Sequence, residues 1–157
     1  MAQIDELIEV VRTLRSEGGC PWDMVQTHES LKPELIEEAS EVLSGINVYL
    51  ETGNGESLKE ELGDLLLQIV FHASLAEDEG LFTFDDVAET VKQKMIVRHP
   101  HVFGEVKVDG VEEVLTNWED IKRAQKKGKE WMDEKLPEAF EEAKELIEKA
   151  KERKGIK

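Results

Sequence analysis

Apolar residues recur in this chain every three or four positions along most of its length, and no stretch shows a strand's convincing alternation. That spacing marks amphipathic helices. It constrains the fold more than any other feature, because helical stripes of this kind are buried by packing against other helices. Ile4, Leu7, Ile8, Val11 and Leu14 begin the pattern, and Gly18-Gly19 ends it. Cys20-Pro21-Trp22-Asp23, running to about Thr27, reads as a loop. A second helix is expected over about residues 30–50, with Leu31, Leu35, Ala39, Val42, Ile46 and Leu50 as its stripe.

Thr52-Gly53-Asn54-Gly55 is a strong turn signal. Ser57 with Glu60 forms a capping-box pattern for a third helix. Its stripe is Leu58, Leu62, Leu65, Leu66, Ile69, Val70 and Ala73, and it ends near Gly80. A fourth helix is expected after Thr83, with Asp86 in the reciprocal capping position. Phe84, Val87, Val91 and Met95 give its period, and it stops before His99-Pro100, since the residue preceding proline leaves the helical region. Residues 101–110 read as a loop, and Val114, Leu115, Trp118 and Ile121 as a fifth helix. Pro137 is expected to open a last, highly charged helix with Phe140, Ala143, Leu146 and Ile147. Antiparallel helices joined by short loops make an all-α bundle.

With 157 residues the chain suits one domain with a real core. Its formal net charge of -16 excludes a broad electrostatic footprint for nucleic acid. Any polyphosphate it handles must therefore meet cations or a local basic patch. The single cysteine, Cys20, allows no internal disulfide and fits a reducing, cytoplasmic setting. Asp5, Glu6 and Glu9 are unlike a signal peptide's basic start, and no apolar run approaches membrane-spanning length.

Two acidic clusters stand out. One is Glu37-Glu38-Ala39-Ser40-Glu41, the other Glu61-Leu62-Gly63-Asp64. At about 100° per residue, Glu34, Glu38 and Glu41 share one edge of the second helix's apolar arc, while Glu37 lies further round, toward solvent. Glu61, Asp64 and Gln68 share an edge of the third helix, with His72 close by. Packed antiparallel, the two helices are expected to converge Glu38, Glu41, Glu61 and Asp64. Such carboxylates repel unless protonated or neutralised by a dication. All-oxygen ligation favours Mg²⁺ or Mn²⁺ over zinc. With 36 Asp and Glu residues, acidic clusters also arise by chance.

The E-E-x-x-E and E-x-x-D pair resembles the hallmark of the MazG family of nucleotide pyrophosphohydrolases. Four further blocks resemble family segments: Cys20-Pro21-Trp22-Asp23 with Gln26-Thr27-His28, Glu60 through Ala73, Arg98-His99-Pro100-His101-Val102-Phe103-Gly104, and Trp118-Glu119 with Ile121-Lys122. The matches run in order from about residue 3 to residue 125. Ser40 departs from the family's usual aromatic residue without touching the acids. Long members carry two such domains in tandem, whereas this chain shows one, residues 1–130, and then residues 131–157 as a charged helical extension of the same domain.

The resemblance implies a Mg²⁺-dependent enzyme (Mn²⁺ as substitute) that cleaves the α–β bond of nucleoside triphosphates, in nucleotide-pool housekeeping. It assigns metal ligation to Glu38, Glu41, Glu61 and Asp64, a catalytic role to Glu37 beside Glu38, and water orientation to Glu37 or Glu34. Lys94 and Arg98 would contact the triphosphate; otherwise they are a basic helix end favoured by the macrodipole. Trp118 would stack on a base with Lys122 near a phosphate, or is plain core. Trp22 is either a core plug or part of the base pocket. His99 and His101 shape their loop or act as ligands or bases. The basic run over residues 122–129 reads as a solvated surface or phosphate-side rim rather than a nucleic-acid site. The implied partners are the nucleotide and further copies of the chain, as a homodimer or higher homo-oligomer.

Two competing classes remain at this point. A redox di-iron bundle uses Glu-x-x-His motifs, and none of His28, His72, His99 or His101 has Glu three residues before it. A non-catalytic dimeric helical regulator would show the same apolar stripes and charged faces.

Overall fold

The computed structural model describes residues 2–157. Among these, eight α-helices and one 3-10 turn are present, and no strand: α1 Gln3–Arg15, α2 Pro21–Met24, α3 Lys32–Thr52, α4 Glu56–Asp78, α5 Phe84–Arg98, α6 Pro100–Phe103, α7 Val111–Lys126, the turn at Glu130–Asp133, and α8 Leu136–Lys154. The all-α expectation holds. No helix among the described residues is long and apolar enough to cross a membrane. Two units form, one from the residues up to Phe84 with Phe140–Lys157, the other from Asp85–Ala139.

The first unit is organised by the α3–α4 hairpin. Gly53 takes the left-handed φ of 72° that ends α3, its N–H donating to the Tyr49 carbonyl at 2.8 Å. The expected Ser57 cap is displaced: α4 already begins at Glu56, whose N–H donates to Asn54 Oδ1 at 2.9 Å. An Asn side chain bonding the backbone two residues on closes this turn, so Ser57 falls inside the helix. Going backward along α3 from Gly45 to Glu41 to Glu38, the partner moves forward along α4 from Leu58 to Glu61 to Asp64. The pair is therefore antiparallel. Gly45 is buried, and a Cβ built there would lie 2.8 Å from the Leu58 Cα. Only glycine lets the two backbones approach this closely.

The core sits at the other end of the hairpin. Val11, Leu31, Val70, Phe71 and Leu75 form a buried cluster, with Ile4, Leu7, Ile8, Leu66, Leu67 and Phe84 packed against it. Arg12 and Arg15 tie α1 to the end of α4, through Glu77 at 2.9 Å and Asp78 at 2.6 Å, and Arg15 also donates to Ser74 Oγ. The apolar stripes are only partly consumed. Leu43, Ile46, Leu50, Leu62 and Ile69 are exposed, and Ala39 with them. The expected burial of the whole stripe fails because nothing within this unit covers that face. The Cys20–Thr27 segment also differs from a plain loop. Pro21 starts the short helix α2, as proline's fixed φ favours at a first helical position. Trp22 is exposed, which removes it as a core plug.

In the second unit, the expected loop after His99 begins with another short proline-led helix, α6. His99 Nδ1 donates to the Met95 carbonyl at 2.6 Å, and its ring meets Trp118 edge-on at 5.0 Å. The last helix starts at Leu136, with Pro137 in its first turn.

Helix propensity favours alanine over glycine by up to about 1 kcal/mol, whereas overpacking a tight contact costs about 1–3 kcal/mol. The contact decides the sign at Gly45. Gly45→Ala is expected to lower the denaturation midpoint, while Gly63→Ala, where a Cβ meets nothing within 4 Å, leaves it unchanged or raises it. Chemical denaturation followed by circular dichroism checks both.

Candidate metal centre

The hairpin places the acidic clusters opposite each other. Glu38 on α3 faces Glu61 and Asp64 on α4, and one carboxylate oxygen from each lies within 4.8 Å of the others. Glu61 and Asp64 are separated by one helical turn, so both project toward the same stretch of α3. Glu38 and Glu61 are half-buried, and Asp64 is exposed. One Glu38 oxygen is buried without a hydrogen-bond partner.

The electrostatics are those of crowded acids. Burial pushes the Glu38 carboxyl above its ordinary value, and the charges of Glu41, Asp64, Glu34 and Glu37 add to that. Burial raises Glu61 likewise, followed by the charges of Glu41, Asp64 and Glu60 and a hydrogen bond shared with Glu41. A dication fits this set. Oxygens opposite each other on Mg²⁺ are about 4.2 Å apart, so small side-chain adjustments bring the three within reach of one ion. The orphaned Glu38 oxygen would gain the partner it lacks.

The fourth expected ligand, Glu41, adjoins Glu61 but is engaged elsewhere. Its carboxylate pairs with Lys154 on α8. Glu37 departs from its expected solvent-facing position. Its side chain is only 13% exposed, bonded to Arg153 and, at 2.8 Å, to Lys154. The reason is α8, which runs along this flank of α3 and presents its basic last turn to the acids. Lys154 is raised above its ordinary value by hydrogen bonds to Glu37 and Glu41. Arg153 and Lys154 were missed by sequence reasoning. The only signal was a cationic turn in a charged helix, and spacing does not say what such a turn faces. Glu34 is half-buried on α3, near enough for its charge to act on Glu38.

Next along α4, Gln68 is buried with its Oε1 unpartnered, and His72 stacks on His28 with ring centroids 5.0 Å apart. Their Nδ1 atoms lie 2.7 Å apart, so one donates and the other accepts. Burial, then the charge of His28, pushes His72 below its ordinary value.

The basic and aromatic candidates belong to the second unit. Arg98 lies 5.3 Å from the Trp118 ring centroid and donates to Gln125 at 2.9 Å. Trp118 is half-buried, with Arg98 and His99 against its ring. Lys122 lies 3.8 Å from Glu119, and Lys94 is exposed.

Residues 26–103 match the model of the MazG nucleotide pyrophosphohydrolase domain. This span contains both acidic clusters and the hairpin between them. The chain belongs to the MazG family. Among its relatives, the Thermotoga maritima nucleoside triphosphate pyrophosphohydrolase/pyrophosphatase MazG is 51% identical over 125 residues, covering 80% of this chain and 46% of that protein. YabN of Bacillus subtilis is 51% identical over 117 residues, covering 74% of this chain and 23% of its own length. The Escherichia coli nucleoside triphosphate pyrophosphohydrolase is 44% identical over 130 residues, covering 80% of this chain and 48% of that protein. The chain thus spans half or less of the length of these MazG-type relatives. The family match ends at Phe103, so α8 and its two cations lie outside it.

The raised carboxyls make stability depend on pH. With its folded value above the unfolded one, Glu38 contributes stability that is complete below the ordinary value of 4.5 and lost as pH rises through the folded value. Near neutrality, ionised Glu38 is therefore a cost in the metal-free protein. Glu38→Gln is expected to melt higher than wild type there, with the gap closing below the ordinary carboxyl range. Thermal melts across pH in the presence of a chelator check this.

Proposed function

We propose that this chain hydrolyses nucleoside triphosphates at the α–β bond, water adding to the α-phosphorus and pyrophosphate leaving, so that a nucleoside monophosphate and pyrophosphate are the products. The observation that carries the reading is the meeting of Glu38, Glu61 and Asp64 across an antiparallel helix pair, inside the segment that matches the MazG domain. The names of the Thermotoga maritima and Escherichia coli relatives support the same reaction.

In this reading Glu38, Glu61 and Asp64 would hold Mg²⁺, with Glu41, now paired with Lys154, as the fourth ligand, and Mn²⁺ would serve as substitute. The bound metal supplies charge neutralisation at the phosphates and a lowered pKa for attacking water. Glu37, whose carboxylate is mostly shielded from solvent, orients that water and accepts its proton at a carboxylate oxygen, with Glu34 as the alternative. Glu38 takes part in the chemistry as well as in ligation. Lys94 and Arg98 contact the triphosphate, Trp118 stacks on the base, and Lys122 approaches a phosphate. Phosphoryl transfer of this kind depends mostly on positioning and charge stabilisation.

Residues 1–130 act as the pyrophosphohydrolase domain and residues 131–157 extend it. The exposed Leu43, Ile46, Leu50, Leu62 and Ile69 support a homodimer or higher homo-oligomer, since a second copy would cover them. The protein works in the cytoplasm on free nucleotides, with neither nucleic acid nor membrane as partner, in housekeeping of the nucleotide pool.

A panel of normal and modified nucleoside triphosphates, incubated with Mg²⁺ and resolved by chromatography, tests the reaction. Monophosphate and pyrophosphate in equal amounts are expected; diphosphate with orthophosphate would defeat the bond choice. Glu38→Gln and Asp64→Asn should each lower turnover by about 100-fold or more while the helical dichroism persists. A wild-type protein that binds no dication and releases nothing would instead favour a regulatory helical module.

A further inference from the structure

The second wall of the site comes from a helix beyond the family match. From Phe140 on, α8 runs beside α3 in the same direction, tethered near both ends. Glu142 accepts from Lys32 at 3.0 Å, while Arg153 and Lys154 reach Glu37 and Glu41. Between these tethers the helices are held apart, and a cavity of about 380 Å³ remains. Its α3–α4 side carries Glu37, Glu41 and Glu61, and its α8 side carries Ile147, Ala150, Lys151 and Lys154, with Ile156 following. The lining is mostly apolar, and Glu61, one of the candidate metal ligands, belongs to it. Sites for small molecules are typically concave, mainly apolar and oriented by a few polar groups, at volumes of about 300–1,000 Å³.

We propose that α8 forms the substrate-side wall of the site, Arg153 and Lys154 engaging the polyphosphate of the metal–nucleotide while Ile147, Ala150 and Ile156 contact its nucleoside. This rests on the nucleotide reading above, which it deepens by naming the residues that bind the substrate. Charge complementarity selects the occupant. A polyanion beside six carboxylates (Glu34, Glu37, Glu38, Glu41, Glu61 and Asp64) needs every nearby cation. In this unit, Arg153 and Lys154 are directly bonded to members of that acidic set. Both cations are open to solvent, with side chains 53% and 39% exposed, so a phosphate can approach them. Bonds from these cations to phosphate oxygens are charge-assisted, as their present bonds to carboxylates are, so one partner can replace the other. Glu41 would release Lys154 on turning to a dication, which frees that cation for a phosphate oxygen.

The test uses the full chain with Mg²⁺ and a non-hydrolysable α,β-methylene nucleoside triphosphate, bound in a calorimeter, beside steady-state kinetics. Arg153→Ala with Lys154→Ala is expected to weaken analogue binding by about tenfold or more and to raise KM far more than it lowers kcat. Ile147→Trp, which fills the apolar part, should change the KM ratio between purine and pyrimidine substrates, and dichroism should show intact helices in both. Unchanged or tighter analogue binding by the double variant would overturn the proposal, tighter binding marking the cations as competitors for the acids. If wild type turns over nucleotide and the double variant binds as well as wild type, this inference alone fails. If wild type binds the analogue yet releases no pyrophosphate, the reaction fails while the wall is still judged by binding. If wild type does neither, both fall.

Discussion

The rest of the molecule depends on the close antiparallel contact of α3 and α4. Six acidic side chains near one another repel, and helices carrying them would separate if nothing opposed it. The opposition comes from both sides of the acids. At the turn end, buried Gly45 lets the backbones come together against Leu58. At the far end, Leu31 packs with Val70, Phe71 and Leu75, and α1 closes over them with Val11. Each fully buried aliphatic side chain contributes about 1.5–3 kcal/mol, so a few such residues offset several modest carboxylate repulsions. The apolar cluster thus holds the acids closer together than their charges favour.

Two solutions to the crowded charge coexist within one turn of α3. Glu37 and Glu41 are settled by cations from α8. Glu38 and Glu61 have no such partner and keep raised carboxyls. The division follows the helix geometry. Glu37 and Glu41 lie toward the flank where α8 runs, whereas Glu38 faces α4, which offers Glu61 and Asp64 and no base. The position lacking a counter-charge from the chain is the one a dication would fill.

The acid pairing was legible in the sequence because it depends on local periodicity. Spacing fixes which residues share a helix face, and a four-residue turn leaves only the antiparallel arrangement. Glu38, Glu61 and Asp64 follow from those two facts. What escaped was set by contacts distant in sequence. Glu37 looked solvent-facing on its own helix, and only α8, more than a hundred residues on, covers it. Ile46 and Leu50 looked like core because an apolar stripe shows that something should cover it without showing whether the same unit supplies the cover. The Ser57 cap failed for a local reason: Asn54 competes for the same helix start and lies in the turn itself.

A net charge of -16 looks hostile to a polyphosphate ligand. Screening changes that judgement. At physiological ionic strength, exposed charges more than about 8 Å apart are largely hidden from each other, so most of the acidic surface acts on water and counter-ions rather than on the site. What a bound anion experiences is set by the groups within a few ångströms, where half-burial also strengthens each interaction. There the balance is carboxylates on α3 and α4 against Arg153 and Lys154 on α8, plus any dication the carboxylates recruit. Recruiting the metal and binding the anion would then be coupled through Glu41: taken by a dication, it would leave Lys154 available for phosphate. An acidic protein can therefore bind a polyanion without a basic surface, provided its few cations stand beside the acids that the metal neutralises.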